Sequence, residues 1–314
     1  MALFKVQKQS IPPKVLHEKY IVPPFSVFNT HQPYMKERML MWRDMGFCGT
    51  NGRVTSNNGL CYDNRRMDNY ANKKRVKTTS NYIGTSVFNP VVCEVVYKWF
   101  TTPKSLIFDP FAGGITRGAI AAVLGHDYIG YDINPVQIES NWEEYDRLQE
   151  RYKIDGTCRW YECDSSCSMP SDDTADLIFT CPPYYNLEKY SDEPQDLSNC
   201  KTYQDFILYY TSIISSCYNV LKNDSFMVWV VSDVRDKDTT AYHGLVADTI
   251  KAAQNAGFLL YNEIILYNET GNLAIVSGDY LDRARKVGRQ HQNILVFYKG
   301  NPKNIGKKFG KVVE

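Results

Sequence analysis

Two short segments of the chain combine residue types suited to holding a ligand and to acting on it. The first is Phe108-Asp109-Pro110-Phe111-Ala112-Gly113-Gly114. An apolar run that ends in small residues lets the backbone approach a ligand closely. The segment lacks the G-x-G-x-x-G spacing of a dinucleotide loop and the G-K-[ST] of a P-loop, which disfavours a pyrophosphate ligand. Asp109 suits a cationic group instead. Asp132 and Asp164 close the next two apolar runs, in Gly130-Tyr131-Asp132 and Cys163-Asp164. A carboxylate about 20 residues beyond a glycine-rich turn suits a ribose diol, and one at the following strand end suits an adenine amino group. Each aspartate alone reads equally well as a helix N-cap or a turn residue. Three in succession point to a positively charged nucleoside such as S-adenosylmethionine, whose amino-acid end carries an ammonium.

The second segment is Thr180-Cys181-Pro182-Pro183-Tyr184-Tyr185. Two prolines cannot continue a central strand, because neither has an N–H, and they hold the chain stiffly extended. The bland reading is a rigid loop. The chemical reading is a platform for a flat base, with Tyr184 stacking on the ring and Tyr185 as a second substrate contact. An exocyclic amino nitrogen is a poor nucleophile, since its lone pair is delocalised into the ring. The side chain of Cys181 and the carbonyl of Pro182 are placed to accept its protons and pull it toward tetrahedral geometry. Holding that nitrogen in line with an activated methyl group does much of the work, with no need for a metal or a covalent intermediate. A base inside a duplex must first flip out, at a cost of a few kcal/mol.

Around these segments the chain alternates between strands and helices. Strands are expected at 105–111, 128–132, 158–164, 175–181, 225–233, 259–267 and 293–299. Helices are expected at 90–100, 116–124, 135–152, 203–221 and 245–256, the last ended by Gly257. Such alternation implies an α/β fold, a mostly parallel sheet with helices on both faces. Ligands in such sheets bind at the carboxyl ends of the strands, and both segments follow strands. Residues 1 to about 80 differ, being rich in Asn, Pro, Gly and Arg, with one helical pattern at 34–45. Asp233 and Arg235 follow a strand and either approach the pocket or pair with each other.

Composition narrows the function classes. With 43% hydrophobic residues in 314 the chain has a globular balance, and no apolar run reaches the about 18 residues a membrane span needs. The amino terminus lacks the apolar stretch of a signal peptide, so a cytoplasmic protein is expected. Nine cysteines, an odd number with no C-x-x-C pair, read as reduced thiols rather than disulfides or zinc ligands. The net charge of +1 excludes a polycation, yet basic residues gather locally. Arg65, Arg66, Lys73, Lys74 and Arg75 form one cluster, and Arg283, Arg285, Lys286 and Arg289 a second. Both read as a solvated surface or as phosphate contacts.

Taken together, the segments resemble the amino-methylating DNA methyltransferases, which modify adenine N6 or cytosine N4. DPFAGG (109–114) is similar to their cofactor motif D-P-F-x-G-S-G-T, and TCPPYY (180–185) to their catalytic motif [DNS]-P-P-[YFW]. TSVFNPVVCEVVYKWF (85–100) resembles the helix beside the methionine end of the cofactor. The segments 20–30, 181–198, 231–237 and 288–300 look like phage and prophage DNA methylases, some of which serve restriction-modification.

The resemblance implies a Rossmann-like S-adenosylmethionine-dependent methyltransferase fold. Its sheet is mostly parallel and seven-stranded, spanning 83–314, after a small irregular DNA-contacting region at 1–82. The cofactor would meet Ser86, Phe88, Asp109, Phe111, Ala112, Gly113, Gly114, Asp132, Ile133 and Asp164. Catalysis would fall to Cys181, Pro182, Pro183 and Tyr184. Duplex DNA with its target base flipped would meet Tyr185, Arg65, Arg66, Lys73, Lys74, Arg75, Arg285 and Arg289. The chain departs from the family pattern at Ile115, where a glycine is usual, and at Cys181, where Asp, Asn or Ser is usual. Asp often accompanies adenine and Ser cytosine, so the target base stays open. RNA, a protein glutamine, or DNA bound without catalysis are the alternative readings.

Overall fold

A computed structural model describes residues 13–46, 87–185, 196–268 and 273–312. Its centre is a sheet whose strands are, in chain order, β1 (Val27–Asn29), β2 (Leu106–Asp109), β3 (Asp127–Asp132), β4 (Thr157–Glu162), β5 (Ala175–Thr180), β6 (Leu221–Val231), β7 (Leu259–Tyr267) and β8 (His291–Lys299). Their spatial order is β1-β7-β8-β6-β5-β2-β3-β4. Only β8 runs antiparallel to its neighbours; the other pairings are parallel.

The chain builds outward from β2 to β4, then returns to lay β5 on the other side of β2. That reversal opens a crevice at the carboxyl ends of β2 and β5, where ligands of doubly wound sheets bind. The fold is Rossmann-like α/β, as expected. The strand count differs: the described residues contain eight strands rather than seven. The extra one, β1, pairs through Val27, Phe28 and Asn29 with Ile265, Leu266 and Tyr267. Three residues are too short to show a period-two pattern, so β1 left no trace in the sequence.

Alternation along the central strands divides the core in two. In β6, Phe226, Val228 and Val230 point to one face and Met227, Trp229 and Val231 to the other. Both faces are buried, which is why β6 reads as a continuous apolar run. Helices α2 (Pro33–Asp44), α3 (Pro90–Phe100), α4 (Thr116–Val123) and α5 (Pro135–Arg151) contribute to the first layer. Helices α6 (Tyr203–Val220) and α7 (Leu245–Ala256) contribute to the second.

The helix ends follow local chemistry. Asn89 accepts from the Val91 N–H ahead of Pro90 at the start of α3, and Asn134 accepts from Val136 and Gln137 at the start of α5. Gly257 ends α7 with φ of 109°, as the sequence implied. Asp233 does not pair with Arg235. It accepts from the backbone N–H groups of Gly244 and Leu245, fixing the start of α7.

Helix α1 (Pro13–Tyr20) precedes β1, and α2 follows it. Arg38 of α2 grips Glu94 of α3 through both carboxylate oxygens, at 2.7 and 2.6 Å, and Trp42 Nε1 donates to the same group at 2.8 Å. Between β7 and β8, where the sequence pattern marked no element, lies a further helix, α8 (Leu273–Ala284). Ile275, Tyr280 and Leu281 are exposed on it, Ile275 at 80%. A short α9 (Ile305–Phe309) follows β8. No helix among the described residues is long and apolar enough to cross a membrane.

Candidate active site

Asp109 is the last residue of β2 and is fully buried. Its Oδ1 accepts from the Phe111 N–H at 3.1 Å and from the Thr180 hydroxyl at 2.6 Å. Its Oδ2 accepts from Arg117 Nε at 2.6 Å and the Tyr128 hydroxyl at 2.8 Å. Four donors satisfy the carboxylate within the protein. Asp109 thereby ties the loop after β2 to β3, α4 and β5.

Arg117 completes that tie. Its Nη2 donates to the carbonyls of Phe111 and Ala112 at 2.6 and 2.9 Å, and its guanidinium lies 4.9 Å from the Phe88 ring centroid. Motif comparison does not single out Arg117. The signal was nonetheless present: one charge in the otherwise apolar turns of TRGAIAAV must find a buried partner.

Beyond Asp109 the loop presents backbone. Gly113 has φ of 51°, a left-handed conformation that glycine adopts without strain. Its N–H donates to Asp132 Oδ2 at 2.8 Å, and its carbonyl accepts from Asn141 Nδ2 at 2.8 Å. Gly130 of β3 allows the loop to lie close, since a Cβ there would meet the Ala112 Cβ at 2.8 Å. Ile115 is 0% exposed and belongs to the first core layer. The residue in the family's glycine position thus points into the core and leaves the loop surface open.

Asp132 and Ile133 are half-buried at the end of β3, and the Asp132 Oδ1 also accepts from the Asn134 N–H at 2.9 Å. Asp164, half-buried after β4, accepts from the Ser166 N–H at 2.8 Å and lies 3.4 Å from the Cys167 Sγ. Ser165 reaches back to the Pro110 carbonyl at 2.8 Å. The three strand-end carboxylates expected from sequence thus share one edge of the sheet. Asp132 and Asp164 are the two with partial exposure.

The proline turn leaves β5 next to this loop. Pro182 is buried, while Cys181, Pro183 and Tyr184 are half-buried. Cys181 Sγ lies 3.4 Å from the Tyr184 hydroxyl, and Gln292 Nε2 donates to that hydroxyl at 2.7 Å. Tyr185 departs from its expected role as a substrate contact. It is 6% exposed, with φ of 43°, and its ring packs against Tyr203, Phe206 and His243 in the second layer. Tyr184 packs against the same layer but stays half-buried.

The basic residues fare differently. Arg65, Arg66, Lys73, Lys74, Arg75 and Ser86 lie outside the described residues. Arg285 is exposed just after α8, with φ of 52°. Arg289 is half-buried and donates to the His291 carbonyl and the Asn293 side chain. Arg235 lies 3.9 Å from the Tyr242 ring centroid and donates to the Thr240 carbonyl.

Residues 175–311 match the N6/N4-type family model described as DNA methylase. The match opens on β5, contains Cys181-Pro182-Pro183-Tyr184 and covers somewhat under half of the chain. A search of curated protein sequences returns no match.

Solved structures with a similar course include a TehB-like SAM-dependent methyltransferase from Corynebacterium glutamicum. It has 16% identity and a TM-score of 0.40, covering 75% of this chain and 95% of that one. A methyltransferase from Pyrococcus furiosus has 14% identity and a TM-score of 0.43, covering 76% and 99%. A proposed DNA modification methylase from Thermus thermophilus has 20% identity and a TM-score of 0.33, covering 44% and 51%. The fold assignment rests on the strand order itself.

Proposed function

We propose that the protein is a DNA methyltransferase that uses S-adenosylmethionine to methylate the exocyclic amino group of a flipped adenine or cytosine. One observation carries the reading. The proline turn inside the DNA methylase match leaves β5 beside the glycine-rich loop after β2, and the 2.6 Å hydrogen bond from Thr180 to Asp109 joins the two.

S-adenosylmethionine, when bound, supplies a methyl group on a sulfonium leaving group. The residues present suit it. Asp132 is poised to take the ribose hydroxyls and Asp164 the adenine amino group. Ala112, Gly113 and Gly114 offer backbone without bulk, and Phe111, Ile133 and Phe88 offer apolar surface, with Ser86 on the segment leading into α3. Asp109 holds this loop in shape.

On the substrate side, Tyr184 stacks on the flipped base. Cys181 Sγ and the Pro182 carbonyl accept hydrogen bonds from the amino group, and Pro183 keeps the turn rigid. Sulfur is a weak acceptor, so the backbone carbonyl carries more of this task than the side chain does. Arg65, Arg66, Lys73, Lys74, Arg75, Arg285 and Arg289 are assigned to the phosphates, with 1–82 as the DNA-contacting region and 83–314 as the catalytic domain. The four segment resemblances support a phage or prophage type, working in the bacterial cytoplasm.

The test is transfer of labelled methyl from S-adenosylmethionine to mixed-sequence duplex DNA, followed by nucleoside analysis to separate N6-methyladenine from N4-methylcytosine. Label in DNA that disappears with Pro183→Ala and Tyr184→Ala supports the reading. A folded protein that binds cofactor yet labels only RNA or protein, or nothing, overturns it.

A further inference from the structure

The hydroxyl of Tyr184 is held from outside its own loop. Gln292, the second residue of β8, donates to it from Nε2 at 2.7 Å. The other end of the same amide accepts from Asn268 Nδ2 at 3.3 Å. Asn268 follows β7 directly, and its carbonyl lies 3.3 Å from His31 Nε2, just beyond β1. The topology explains the meeting. Strand β7 is antiparallel to β8, and β8 is antiparallel to β6. The end of β7 and the start of β8 therefore lie on the same sheet edge as the end of β5.

We propose that Gln292 is a positioning residue for Tyr184, holding the phenol ring in a fixed attitude before any base arrives. The inference rests on the methyl-transfer reading of this site. Tyr184 is constrained at both ends. Its backbone follows two prolines, and its hydroxyl accepts from Gln292 and lies against Cys181 Sγ. A side chain already immobilised loses less rotamer entropy when a base stacks on it. The pair Tyr184–Cys181 is oriented by a residue on β8, outside both sequence motifs.

A double-mutant cycle between Gln292→Leu and Tyr184→Phe tests this, with each protein first checked for intact thermal unfolding. Gln292→Leu is expected to lower kcat about tenfold, the scale of one lost hydrogen bond at a site needing alignment, with cofactor affinity by calorimetry unchanged. Tyr184→Phe removes the same contact from the other side, so adding Gln292→Leu to it costs nothing further. Losses that multiply in the double variant overturn the proposal, as does a parallel loss of cofactor binding. If Gln292→Leu fails to fold, Asn268→Ala decides. It should lower kcat when Tyr184 is present and have no effect in the Tyr184→Phe background; an equal effect in both overturns the proposal. If the wild-type protein labels no DNA, the methylation reading fails separately. The cycle is then read in urea unfolding, where uncoupled losses overturn the positioning of Tyr184.

Discussion

Thr180 Oγ1 donates a 2.6 Å hydrogen bond to Asp109 Oδ1 across the junction between β5 and β2. The two residues are 71 positions apart in sequence, and each sits immediately before the loop that follows its strand. Both are fully buried. Thr180→Val keeps the shape and removes the donor, leaving a buried carboxylate short of one partner. A loss of about 1.5–3 kcal/mol of stability is expected, the range for a hydrogen bond to a charged group. Urea unfolding measures it. Because the bond joins both halves of the site, cofactor affinity and turnover should fall together.

Arg117 balances the same carboxylate and holds two loop carbonyls. Arg117→Ala leaves Asp109 as an uncompensated buried charge, and a destabilisation of about 3–5 kcal/mol is expected. Chemical denaturation against wild type checks the figure. An Arg117→Lys variant should recover only part of it, since one ammonium cannot reproduce the fork that meets Asp109, Phe111 and Ala112 together.

Ile115 stands in the family's glycine position but is a core side chain. Ile115→Gly should therefore not improve cofactor binding. It should destabilise by about 2–5 kcal/mol or more, since it opens a cavity at a fully buried site and adds backbone freedom. Unfolding free energy and calorimetry with S-adenosylmethionine, measured on the same preparation, separate the two effects. Tighter cofactor binding in the glycine variant would contradict the placement of Ile115.

Asp132 accepts from the Gly113 N–H through Oδ2 and from the Asn134 N–H through Oδ1. Asp132→Ala removes the acceptor for the loop and the proposed partner of the ribose. Cofactor affinity should drop about tenfold to a hundredfold, corresponding to one or two lost hydrogen bonds to a charged group. Asp132→Asn keeps an acceptor oxygen and should lose less. Calorimetric titration distinguishes the two variants.

His126 predicts a pH dependence of stability. Its Nδ1 accepts from the Ser105 N–H at 3.3 Å and its Nε2 faces the Thr101 hydroxyl at 3.3 Å. Burial holds its pKa below the ordinary 6.5, opposed by Asp127 and Asp176. A lowered folded-state pKa means that the unfolded chain binds the proton more readily. The His126 contribution is thus present above the unfolded pKa and is lost as pH falls through it toward the folded value. His291 is also shifted down, chiefly by burial, and adds to the same slope. Unfolding free energies between about pH 7.5 and 5 should decline, and His126→Gln should flatten part of that decline.

Much of the architecture was legible in the sequence because its signals are local. The apolar runs that became β2, β3, β5 and β6 carry their own pattern, and prolines, glycines and Asn caps mark where helices begin and end. Both motifs sit at strand ends, and that position follows from the alternation alone.

The remainder depended on distance and burial, which a linear pattern does not encode. Strand β1 exists because β7 offers an open edge to three residues. Helix α8 leaves Ile275, Tyr280 and Leu281 in solvent, so its apolar residues are not gathered on one buried stripe. Adjacent Tyr184 and Tyr185 look equivalent in sequence, yet Tyr184 stays half-buried while Tyr185 is enclosed by Tyr203, Phe206 and His243. Asp109 gives no sign in the sequence of the four internal donors that surround it in the fold. Gln292 lies 108 positions from Tyr184, and only the antiparallel return of β8 brings its amide to the hydroxyl. Sequence determined the residue types present at each strand end; tertiary structure decided which of them stay exposed enough to meet a ligand, because buried polar groups must first satisfy one another.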